Sequence, residues 1–88
     1  MLGALTATGI ALKDLRAQLK EITDEQARIK GNLEKLPPTS ELYKRLIDKF
    51  DKEETALEKV QKQISEKVAE EKQQQKDFEQ FLVNLNAQ

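Results

Sequence analysis

Leu36-Pro37-Pro38-Thr39-Ser40 is the stretch on which the fold turns, because a helical pattern runs up to it and a second one starts after it. Pro38 pushes Pro37, and Pro37 pushes Leu36, out of the α region, and neither proline has an N–H with which to extend a helix. Thr39 or Ser40 can then cap a new helix through a side-chain oxygen, with Glu41 against the positive end of its dipole. A connection of four or five residues between two helices favours antiparallel neighbours.

Upstream of the turn, Leu5, Thr8, Leu12, Leu15, Leu19, Ile22, Gln26, Ile29, Leu33 and Leu36 recur at alternating steps of three and four. This is the a/d series of a heptad repeat, polar only at Thr8 and Gln26. Downstream, Tyr43, Leu46, Phe50, Glu53, Leu57, Val60, Ile64, Lys67, Glu71, Gln74, Phe78, Phe81 and Leu85 keep the same spacing without a slip. The spacing predicts helix 1 over about residues 5–36, a turn at 37–40 and a longer helix 2 over about 41–86. The fold class is all-α, an antiparallel two-helix coiled-coil hairpin expected to assemble into a dimeric four-helix arrangement.

The turn also sets the register. With Leu36 opposite Tyr43, Leu33 meets Leu46, Ile29 meets Phe50, Ile22 meets Leu57, Leu19 meets Val60 and Leu15 meets Ile64. The same register brings Gln26 to Glu53, a polar layer that disfavours slipped pairings because each group would otherwise face hydrocarbon. Leu36, Tyr43, Gln26 and Glu53 are therefore the register-setting residues. Further out, Leu12 faces Lys67, Thr8 faces Glu71 and Leu5 faces Gln74, so the open end is expected to bury little and to fray. Beyond it, Phe78, Phe81, Leu82, Val83 and Leu85 form an apolar patch with only Met1 and Leu2 opposite.

Composition narrows the function. Eighty-eight residues make one domain at most, and 35% charged with only 5% aromatic residues suits two-faced helices better than a sandwich or barrel. The absence of Cys and His removes thiol nucleophiles, disulfides, zinc sites and imidazole chemistry. Neighbouring carboxylates such as Glu53-Glu54 and Glu70-Glu71 point in different directions on a helix and read as solvated faces. No Gly-rich phosphate loop is present, and Tyr43 reads as the core residue closing the hairpin rather than a catalytic phenol. No catalytic residue, metal site or cofactor is expected. A net charge of −1 with both signs interspersed leaves no footprint for nucleic acid. The uncharged start, Met1 to Leu12, lacks a basic leader and is shorter than the roughly 20 residues a membrane span needs.

What remains is a surface for a partner. Leu42, Ile47, Val68 and Leu82 flank the seam at e and g positions, widening the apolar stripe of helix 2 beyond what one partner helix covers. With Phe78, Phe81 and Leu85 they are the candidate interaction residues. Their expected occupant is a second copy, a dimer being favoured, or another domain of the same protein lying outside this chain.

Several stretches also resemble a known family. Glu25-Gln26-Ala27-Arg28-Ile29-Lys30-Gly31-Asn32-Leu33, then Leu36-Pro37, Ser40-Glu41 with Tyr43, and Lys49 to Glu58 are similar to the C-terminal coiled-coil segment of bacterial domain-of-unknown-function proteins, the mucoidy-inhibitor-like family. There a Gln-x-Arg-Ile-Arg-x-Asn-Leu pattern precedes a Pro-containing turn, and Ser-x-x-Tyr and a Gln-Glu pair follow. The closing Phe78 to Leu85 is similar to how such chains end, so the likeness spans residues 10–86. Lys30 replaces a second Arg, and Glu53 stands where the family often has Gln. The resemblance implies a C-terminal fragment of a larger bacterial protein and no catalytic residue. The expected function is a non-enzymatic oligomerisation module; the alternative is a helical-hairpin subunit of a secretion needle or filament. A prefoldin-like chaperone arm is disfavoured, since no strand signal supplies an oligomerising base.

Overall fold

A computed structural model describes residues 2–87. It consists of two helices, α1 (Leu2–Leu33) and α2 (Glu41–Ala87), packed against each other, with no strand among the described residues. The molecule is a rod of 73 × 15 × 14 Å, as long as α2 and two helices wide.

Residues Glu34 to Ser40 form the turn. The last turn of α1 tightens: the Glu34 N–H donates to the Lys30 carbonyl at 3.2 Å, but Lys35 and Leu36 donate only three residues back, to Asn32 and Leu33. That tightening ends α1 at Leu33, three residues before the last heptad position. Pro37 and Pro38 allow no further donors, and the Ser40 N–H closes a turn onto the Pro37 carbonyl at 3.0 Å. Described non-glycine residues all have negative φ, which excludes a type II turn with Thr39 at its third position. Ser40 is the cap of α2: its Oγ accepts the Tyr43 N–H at 3.1 Å, while Glu41 stands in the first turn.

Every residue of the predicted α1 series from Leu5 to Leu36 is buried or half-buried, as is every one of the α2 series from Tyr43 to Phe78. Ile29, Leu12 and Val60 are the most deeply buried apolar side chains. Thr8, 4% exposed, and Leu12, 3% exposed, lie towards the open end, where sparse burial and fraying were expected from the polar residues facing them. The layers of Thr8 and Leu12 are instead well buried. Lys67 is half-buried while its ammonium turns out to Glu70 at 3.0 Å, so its aliphatic stem can cover apolar neighbours. The Thr8 hydroxyl is satisfied by Gln74 Oε1 at 2.8 Å.

Candidate interaction surface

Two of the polar ties between α1 and α2 start from a/d residues of α1, and each is displaced from the residue that register counting selects. Gln26 Nε2 donates to Glu54 Oε1 at 2.7 Å, not to Glu53, and Thr8 donates to Gln74, not to Glu71. Helical side chains lean towards their own N-terminus, so a long residue on α2 covers the level of the turn before it. Glu54 and Gln74 reach back in this way. Glu53 keeps its place among the shielded seam residues, and its Oε2 is buried with no hydrogen-bond partner.

Glu25 sits beside this layer. It accepts hydrogen bonds from Arg28 on its own helix and from Lys49 Nζ of α2 at 2.7 Å. Arg28 first, then Lys49, holds the Glu25 carboxyl down to about 2 from an ordinary 4.5, and the same carboxylate raises Arg28. Lys44–Glu41 adds an exposed i,i+3 pair at the start of α2, and Lys67–Glu70 another where the seam residue Lys67 turns its ammonium outward. Asp48–Lys52 and Glu58–Lys62, although spaced i,i+4 on α2, are not among the ion pairs formed by the described residues.

The seam residues leave two apolar areas exposed, one at each end of the rod. At the turn end, Leu42 and Ile47 are exposed, and Leu36, Leu42 and Leu46 line an open groove of about 330 Å³ with Asn32 and Lys35. Val68, the other flanking residue, is half-buried midway along α2. At the open end Phe78 is half-buried, whereas Phe81 (49%), Leu82, Val83 and Leu85 (56%) are exposed. Geometry explains the change after Phe78. Counting from the Gln26–Glu54 bond puts the start of α1 level with Phe78, and counting from Thr8–Gln74 puts it level with Gln80. From Phe81 to Ala87, α2 runs on past its partner for roughly 10 Å. Met1, set opposite this patch by the sequence, lies outside the described residues.

Sequence reading missed Ile10, which is 58% exposed on the side of α1 away from the seam. It breaks the heptad pattern within an otherwise uncharged stretch of small residues, and that break was its only signal. Among the described residues, no group of three or more acidic side chains could hold a metal ion, and no helix is long and apolar enough to cross a membrane.

Comparison of the chain with protein-family models, curated proteins and solved structures finds no match in any of the three. The resemblance of residues 10–86 to the mucoidy-inhibitor-like segment thus rests on its quoted motifs alone.

Proposed function

We propose that this chain is a non-enzymatic interaction module that works by self-association, two hairpins joining into an arrangement of four helices. The observation that carries this reading is the end of α2, where Phe81, Leu82, Val83 and Leu85 are exposed on a helix that has outrun its partner. Isolated exposed apolar residues are ordinary on a protein surface, but a contiguous group at the end of a packed seam marks a contact site. The family resemblance supports the same reading, since it implies a helical segment without catalytic residues.

A second reading, a needle or filament subunit, draws on a different observation. The exposed tail at one end of the rod and the Leu36–Leu42–Leu46 groove at the other would, if joined, make a heterologous contact, which repeats without closing. Multi-angle light scattering over a concentration series separates the two. A closed dimer supports the module, and growth without limit supports the filament. A monomer at every concentration overturns both.

A further inference from the structure

Resting on self-association, but with an end-to-end contact in place of four helices packed side by side, we infer that the partner of the α2 tail is the same tail of a second copy, the two hairpins meeting antiparallel at their open ends to form one long rod. Phe78, Phe81 and Leu85 continue the a/d series of α2, so the exposed stripe is the intramolecular seam prolonged past the point where α1 stops. Whatever covers it must take the place of α1 and run in the same direction. A second α2 tail, arriving antiparallel, does so.

The pairing is self-complementary. In an antiparallel pair an a position faces a d position, so Phe81 meets Leu85 of the second copy and Leu85 meets its Phe81. The overlap then covers about residues 79–87, the stretch of α2 that lies level with or beyond the start of α1. Charge does not oppose it: from Phe78 to Ala87 the only charged side chain is Glu79, outside the a/d stripe.

Helix ends supply an independent argument. α1 has no acidic residue in its first turn, and α2 has no basic residue in its last. Both therefore leave their dipoles uncompensated by side chains. In the end-to-end dimer the negative C-terminus of each α2 abuts the positive N-terminus of the other copy's α1, and each compensates the other. At the turn-end groove the N-terminus of α2 is already capped by Ser40 and faced by Glu41, so a tail joined there would meet a dipole end that is compensated.

An overlap of this length buries well under the roughly 1,200 Å² of a stable interface, so the dimer is a weak, concentration-dependent one. Small-angle X-ray scattering of the 88-residue chain from roughly 10 µM to roughly 1 mM, the range in which weak contacts titrate, tests the geometry. The maximum dimension should rise from near 73 Å to about 130 Å while the cross-section stays that of a two-helix rod. Phe81→Asp should weaken dimerisation at least tenfold with unchanged circular dichroism, because Phe81 lies beyond α1. A dimer that stays near 73 Å long and becomes thicker would overturn the end-to-end geometry and leave self-association standing. A monomer throughout would overturn both, and a Phe81→Asp protein that dimerises like the parent would overturn the assignment of the tail.

Discussion

Single residues show where the seam is compromised. Glu53 occupies a core position, yet its Oε2 is buried without a hydrogen-bond partner, since Gln26 has turned to Glu54. A buried polar atom left unpaired costs about 1–3 kcal/mol. Glu53→Leu should therefore stabilise the hairpin by about that much, read as a higher urea midpoint at unchanged m-value; a loss of stability would show that the carboxylate is needed where it stands. Glu25 makes a prediction in pH. Its folded-state pKa is depressed to about 2 by Arg28 and Lys49, so its contribution is fully present above the ordinary 4.5 and is lost as pH falls from 4.5 towards 2. Glu25→Gln should flatten the acid limb of the stability curve in that window and change little above it, as followed by urea melts at a series of pH values. Spacing made Gln26 and Glu53 legible as shielded polar residues of the seam, because both fall on a/d positions, but the two do not pair with each other. It could not show that Gln26 would bond Glu54, because counting register treats side chains as points, whereas helical side chains lean by most of a turn.

Elements follow from terminal chemistry more than from propensity. Ser40 caps α2 by accepting the Tyr43 N–H, a role the sequence left open between Thr39 and Ser40. Thr39 instead lies inside the turn that the Ser40 N–H closes onto Pro37. Ser40→Ala should cost about 1 kcal/mol of stability, with Thr39→Ala close to neutral, by thermal or urea melts of the two variants. Equal effects would mean that the cap is shared. The end of α1 was harder to place: heptad spacing carries through Leu36, but its closing hydrogen bonds are three-residue ones, and Leu36 stays half-buried outside the helix. Burial and helicity are separate properties there, and periodicity reports only the first. The open end failed in the opposite direction. Its polar pairs suggested fraying, yet Thr8 and Leu12 are among the best-buried residues, because Lys67 turns its ammonium out to Glu70 and Gln74 supplies a hydrogen bond.

At the scale of the whole molecule, α2 runs on past the start of α1, so its last residues lie unpaired within this chain. The two-helix architecture was legible in the sequence because Pro37-Pro38 interrupts a heptad pattern that is otherwise regular on both sides. The reach of α1 back to Leu2 was not, since its first turns hold Gly3, Gly9 and small residues that carry little periodic signal. That reach fixes how much of α2 stands free, and hence the length of the overlap inferred for the dimer. The register between α1 and α2 within one chain sets the level at which the tail emerges. Because the chain has no cysteine, nitroxide labels can be placed singly at Ile10→Cys and Lys72→Cys, exposed positions that the Thr8–Gln74 bond sets at the same level. Double electron–electron resonance on the doubly labelled protein, diluted in unlabelled protein, should give a distance under roughly 35 Å, as for labels on helices 8–10 Å apart. A distance approaching 93 Å, about the separation of these residues along one continuous helix, or a short distance that disappears on dilution, would contradict the hairpin.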